Sequence, residues 1–225
     1  MKLRYFSHSA FQITTHSGKT ILIDPFLDEN PTSPVKSSDL RPDYIILSHA
    51  HGDHLGDAMK IAKKSDPLFI CVFELANYLA DKGFKTHGMH IGGGYNYDFG
   101  RVKFTIAHHG SGAPDGTYCG EAAGILLTLE GKIIYYTGDT GLFYDMKLIG
   151  EMNKIDVMLL PIGDNFTMGL TDAVKAVELT NPHMAIPIHY NTFPVIEADP
   201  YAFKRRLEEQ GRECRVLDFG QEIDL

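Results

Sequence analysis

Within seven residues, Ser48-His49-Ala50-His51-Gly52-Asp53-His54 carries three imidazoles and one carboxylate. Eleven histidines scattered at random through 225 residues would almost never fall into this H-x-H-x-D-H spacing. Imidazole nitrogen and carboxylate oxygen both offer lone pairs to a divalent cation, and this donor set suits zinc first, with manganese, iron or nickel as alternatives. The spacing also restricts the backbone. In a helix, residues two apart point about 200° away from each other, so His49 and His51 could not share an ion there. In extended chain they face the same side. His49 and His51 therefore converge from a strand-end loop, while Asp53 and His54 turn toward a second, adjacent position. One ion takes three to five protein ligands and keeps a place for water, so two positions need ligands from elsewhere in the chain.

The elements that must carry the loop lie on either side of it. Tyr44-Ile45-Ile46-Leu47 is an apolar run that reads as a buried strand, and Leu55–Lys64 reads as a helix. Upstream, Lys2–Phe6, Phe11–Thr15 and Thr20–Ile23 are short and β-rich, with a hairpin-like turn at His16-Ser17-Gly18-Lys19. Downstream, a strand at Leu68–Phe73 and a helix at Glu74–Lys82 lead to strands between Tyr95 and Ile106, at Ile125–Leu129 and at Lys132–Tyr136. The last third alternates helix (Asp145–Met152), strand (Asp156–Leu160), helix (Thr171–Thr180) and strand (Met184–Ile188). A final helix takes Asp199 as N-cap and Pro200 at its first position, and ends near Gly211. No repeat and no linker divides the chain, so residues 1–225 read as one mixed α/β domain.

Layered α/β proteins collect functional groups just past the C-terminal ends of their strands. Three candidates lie at such positions: His108-His109 after Val102–Ile106, Asp139 after Ile133–Tyr136, and His189 after Met184–Ile188. Strand alternation lets only one of His108 and His109 point into a shared site. Asp164, after Pro161-Ile162-Gly163, stands at another strand end, where it would contact substrate or a water behind the ligands.

Composition narrows the class. A net charge of −8 without a basic tract argues against nucleic acid or an anionic membrane as partner. Nowhere do about 18 apolar residues run together, and the N-terminus lacks a signal-peptide core. Cys71, Cys119 and Cys214 are widely spaced with no C-x-x-C pair, which suggests reduced thiols in a cytoplasmic protein. A small molecule is the expected partner, and self-association is left open.

Taken together, Asp24 ending an early strand, the H-x-H-x-D-H loop, a later His, Gly138-Asp139 after a strand and a final strand-end His resemble the metallo-β-lactamase superfamily. More closely, Asp24-Pro25-Phe26, Thr137-Gly138-Asp139-Thr140-Gly141, Pro161-Ile162-Gly163 and Pro187-Ile188-His189-Tyr190-Asn191-Thr192-Phe193-Pro194 are similar to the UPF0173-type metal-dependent hydrolases, relatives of ascorbate-pathway lactonases and phospholipase-D-type members. The resemblance implies a four-layer αββα sandwich. It implies two divalent metal ions, zinc first, with His49, His51 and His109 on one, Asp53, His54 and His189 on the other, and Asp139 bridging. His109 is favoured because that group places an Ala-aromatic-His-Ser run here; His108 stands in place of the aromatic. Asp24 is implied as a carboxylate that orients the histidine loop, and His8, within Ser7-His8-Ser9-Ala10-Phe11, as a residue at the pocket mouth. The implied activity is hydrolysis of a small ester, lactone or phosphodiester by metal-activated hydroxide, with Asp53 or Asp139 as proton acceptor. Two alternatives share the fold: a nucleic-acid-processing nuclease, and an iron-dependent redox enzyme.

Overall fold

A computed structural model describes all 225 residues, Met1–Leu225. The chain forms two seven-stranded sheets. The first contains β1 (Lys2–Ser7), β2 (Ala10–Thr14), β3 (Thr20–Ile23), β4 (Tyr44–Ile46), β5 (Leu68–Val72) and β6 (Thr86–Met89), in that spatial order. The last strand of the chain, β14 (Glu222–Asp224), returns to pair antiparallel with β1. The second contains β7 (Gly94–Tyr97), β8 (Gly100–Ile106), β9 (Ala123–Leu129), β10 (Lys132–Tyr136), β11 (Val157–Pro161), β12 (Met184–Ile188) and β13 (Glu213–Cys214), again in spatial order. In each sheet, antiparallel hairpins near one edge give way to parallel pairs, β3·β4·β5·β6 in the first and β10·β11·β12·β13 in the second.

The layering follows from the two-residue period of the strands. In β9–β12, Ile125, Leu127, Ile134, Tyr136, Leu159 and Ile186 join a core shared with Leu3, Ile13, Ile21 and Ile45 of the other sheet. Their sequence neighbours Leu126, Tyr135, Met158 and Ala185 point the opposite way. There they meet Met146 of α4 (Met146–Met152), Ala173 and Val177 of α5 (Leu170–Thr180) and Phe203 of α6 (Pro200–Glu208). Ile61 of α2 (Ala58–Ser65) and Leu75 and Leu79 of α3 (Phe73–Ala80) pack with the first sheet. The result is helix, sheet, sheet, helix, the αββα sandwich expected.

Several boundaries differ from the sequence reading. The helix expected over Leu55–Lys64 is two: α1 (Gly52–Leu55) starts inside the histidine loop, and Gly56 breaks it from α2. Gly56 has φ +41°, and a Cβ there would lie 2.5 Å from the Pro25 carbonyl, so the break is imposed by tertiary packing. β6, β13 and β14 were not expected. All three are short strands, and each finds its register on a strand already in place. Asp199 caps α6 by accepting from Tyr201 N at 2.9 Å, with Pro200 at the first helical position, as expected. The three cysteines are free and buried. No helix is long and apolar enough to cross a membrane.

Candidate metal centre

Because β1 and β3 flank the antiparallel β2, they run the same way; β8 and β10 do likewise around β9. Their C-terminal ends, with those of β4 and β12, bring the candidate residues to one rim of the sandwich. The two sheets are tied there by backbone hydrogen bonds from His189 N to His8 O (2.8 Å) and from Ala123 N to Ser48 O (2.9 Å). Three site residues just past strand ends, His8, Asp24 and His189, have φ of 56°, 42° and 54°. Left-handed backbone in a residue with a Cβ costs on the order of 1–2 kcal/mol. Such strain persists only where surrounding contacts fix it, and here it turns the three side chains inward.

Two sets of donors face each other. In the first, His49 Nε2 lies 3.0 Å from His51 Nδ1, which lies 3.2 Å from His109 Nε2. Ligands about 2.05 Å from a tetrahedral ion are roughly 3.3 Å apart, so these three nitrogens have the spacing of a coordination shell. In the second set, His54 Nε2 and His189 Nε2 lie 3.2 and 3.1 Å from Asp139 Oδ2, and His189 Nε2 is 3.8 Å from Asp53 Oδ2. Asp139 Oδ2 is also 3.6 Å from His109 Nε2, which places one carboxylate oxygen between the sets. His54 Nε2, His189 Nε2 and Asp139 Oδ1 are buried with no hydrogen-bond partner. Unpaired buried polar atoms are costly and need an explanation. A cation supplies it, so the residues fit the divalent metal that the donor types suggest.

Electrostatics lead to the same spot. Burial opposes charge on Asp139, yet His189 and His54 hold its carboxyl well below the usual range. Burial likewise opposes charge on His189, but Asp139 and Asp53 raise it to about 9. His54 is raised well above its ordinary value, because Asp139 and Asp24 outweigh burial. His49, fully buried and beside His54, is driven the other way. The carboxylates thus draw positive charge to the seam between the sheets, whether carried by protons or by a cation.

Behind the donors, Asp24 accepts four hydrogen bonds while fully buried. Ser48 N (2.8 Å) donates to Oδ1; Ser48 Oγ (2.5 Å), His54 Nδ1 (2.7 Å) and Tyr136 OH (2.6 Å) donate to Oδ2. Ser48 Oγ in turn lies 2.9 Å from His49 Nδ1. One carboxylate therefore places a proton on the far nitrogen of a histidine in each set, directly for His54 and through Ser48 for His49. Both Nε2 lone pairs are left facing the site.

The remaining expectations divide. His108 is exposed and stacks on Phe143 (centroids 4.9 Å apart), outside the donor sets, while His109 turns inward. His8 is not at a pocket mouth: it is completely buried against His189, with its Nε2 3.2 Å from Asp53 Oδ2. Asp164 is exposed in a turn where its carboxylate accepts from Asn165 N, and the structure does not bring it into either set. Sequence reasoning gave no role to Ser48, Tyr136 or Thr192. Their hydroxyls matter only through partners up to 184 residues away, and nothing local marks them.

A sandwich of two mixed sheets between helices, with a buried His/Asp centre at one rim, defines a class of metallohydrolase. Residues 19–190 match the family described as "Beta-lactamase superfamily domain". The chain belongs to that superfamily, and within it to the UPF0173 metal-dependent hydrolases. It is 53% identical, over 230 aligned positions covering 100% of both chains, to a UPF0173 metal-dependent hydrolase of Bacillus cereus. Igni18, described as a novel metallo hydrolase from the archaeon Ignicoccus hospitalis, superposes with TM-score 0.91 at 38% identity over 99% of this chain and 97% of its own. An isothiocyanate hydrolase from Delia radicum gut bacteria gives TM-score 0.80 at 22% identity, over 100% of this chain and 99% of its own, a likeness of fold alone.

Proposed function

We propose that this metal-dependent hydrolase works with two cations, zinc first, on a small ester, lactone or phosphodiester. The observation that carries the reading is the pair of donor sets meeting at Asp139 Oδ2, both within coordination spacing, with His54, His189 and Asp139 holding buried atoms without partners. When bound, cations there would supply positive charge that lowers the pKa of a water molecule and offsets negative charge developing on the substrate. The protein's part is arrangement. His49, His51 and His109 would hold one cation through three nitrogens; His54 and His189, through nitrogens, and Asp53, through a carboxylate oxygen, would hold the other; Asp139 lies between the two sets. Asp24 holds the tautomers of His49 and His54, so in each ring, when neutral, the N–H points away from the site. Asp53 is the more accessible carboxylate, with its side chain 28% exposed against 4% for Asp139, and it is assigned as proton acceptor. Net charge −8 favours a small substrate over nucleic acid.

Metal analysis of the purified protein, with a screen of lactones, phosphodiesters and thioesters after metal restoration, tests the reading. Two equivalents of metal and hydrolysis in that panel are expected. A single equivalent at saturation overturns the two-cation centre. Asp139→Ala is expected to lose metal and turnover together, and full turnover by that variant removes the bridge.

A further inference from the structure

Three imidazoles surround Asp53, and they do not play the same part. His54 Nε2 and His189 Nε2 are buried with no hydrogen bond. His8 Nε2 has one, to Asp53 Oδ2 at 3.2 Å. A carboxylate oxygen only accepts, so a ring nitrogen that meets it in hydrogen-bond geometry, as His8 Nε2 does and as His54 Nε2 and His189 Nε2 do not, carries a hydrogen. The other ring nitrogen, Nδ1, meets Thr192 Oγ1 at 2.9 Å. In a neutral ring Nδ1 accepts from that hydroxyl. In a charged ring it donates, and the hydroxyl passes its own hydrogen to Tyr190 O, 3.3 Å away. Nε2 keeps its hydrogen in both states, so its lone pair is not offered to an ion.

The ring has little freedom to do otherwise. It is completely buried, 4.0 Å from His189 between centroids, with Phe26 and Phe193 edge-on at 5.6 and 5.4 Å. Its backbone is held as firmly: the His8 carbonyl accepts from His189 N (2.8 Å) and from Tyr5 OH (2.9 Å). Asp53 is the contrast. It sits on the four-residue helix α1, its side chain is 28% exposed, and water competes for its oxygens. A carboxylate there that is not held turns outward.

We propose that His8 is a positioning residue. Its Nε2–H fixes Asp53 Oδ2 toward His54 and His189, Thr192 orients the imidazole, and the pair sets how tightly the second donor set grips its cation. The inference rests on the reading that those residues hold a second cation.

The test is a titration of chelator-stripped protein with Co²⁺, followed by absorption, and with Zn²⁺ against a chromophoric chelator. Wild type is expected to take two equivalents. His8→Asn suits the left-handed backbone but is too short to reach Asp53. It is expected to keep its first-equivalent affinity within twofold and to lose about 10–100-fold in the second. His8→Gln, long enough to donate from its amide, recovers most of that loss. In an Asp53→Asn background, His8→Asn costs nothing further, because the route runs through that carboxylate. A wild type saturating at one equivalent overturns the two-cation reading itself. With two equivalents bound by wild type, an unchanged second affinity in His8→Asn overturns only the role of His8, as does an equal loss in the Asp53→Asn background. Should His8→Asn fail to fold, Thr192→Val leaves the imidazole in place, and a wild-type second affinity in that variant is equally decisive.

Discussion

Asp24 offers the sharpest test of how the centre is held, because one carboxylate serves a histidine in each donor set. Asp24→Ala would strand four donors: Ser48 N, Ser48 Oγ, His54 Nδ1 and Tyr136 OH. At roughly 1–3 kcal/mol for each buried unmade bond, the loss approaches the 5–15 kcal/mol that holds a typical domain together, so that variant is expected not to fold. Asp24→Asn keeps the shape. Its carbonyl oxygen can face Ser48 N or the Oδ2 side, and its NH₂ then opposes a donor on the other side. Ser48 N–H cannot turn away. The two hydroxyls can rotate their hydrogens, but His54 can oblige only by moving its proton to Nε2, which closes the lone pair aimed at the site. With one contact mismatched, the stability cost is about 1–3 kcal/mol, or roughly 2–12 °C in a domain of this size. Cation affinity is expected to fall about 10–100-fold. Chelator-competition titration and calorimetry of the stripped protein measure both. Folded Asp24→Asn with wild-type cation affinity would refute the argument that Asp24 fixes the ligand tautomers.

Two further outcomes follow from the same geometry. His189 is raised to about 9 by Asp139 against burial, so its proton stabilises the fold fully below the unfolded value near 6.5, and that contribution is lost as pH rises through 9. Cation binding near pH 7 should therefore release protons, fewer as pH approaches and passes 9; calorimetry in buffers of different ionisation enthalpy reads the number, and an affinity flat between pH 6.5 and 9 contradicts it. His108→Phe should leave metal content unchanged and stability within about 0.5 kcal/mol, because that ring is exposed against Phe143. Loss of metal in that variant would transfer the ligand role from His109.

The fold was legible where local chemistry and tertiary packing agree. β9–β12 alternate between two apolar faces, and α6 carries its own cap, so periodicity and capping were enough. β13 has two residues and β14 buries only Ile223 between exposed neighbours, a pattern too short to register without the partner strand. The split between α1 and α2 depends on Gly56 meeting the Pro25 carbonyl, a contact 31 positions away in sequence that composition cannot reveal. The candidate ligands were legible because the H-x-H-x-D-H spacing seldom arises by chance and because strand ends are where such sheets gather functional groups, though Asp164 shows that a strand-end position alone does not suffice. His8 was harder: its immersion depends on the left-handed turn after β1 and on Thr192, which only the assembled sheets bring together.

The donors divide by sheet. His49, His51, Asp53 and His54 follow β4 of the first, while His109, Asp139 and His189 follow strands of the second. An ion seated there would cross-link the two halves of the molecule at one rim, while the far rim is tied by Glu130 accepting from His16 N and pairing with the N-terminal ammonium, and by Lys19 and Tyr44 on Asp98. Stripping it should loosen the molecule unevenly, with amide exchange quickening first around the strand ends of that rim and the opposite turns lagging behind.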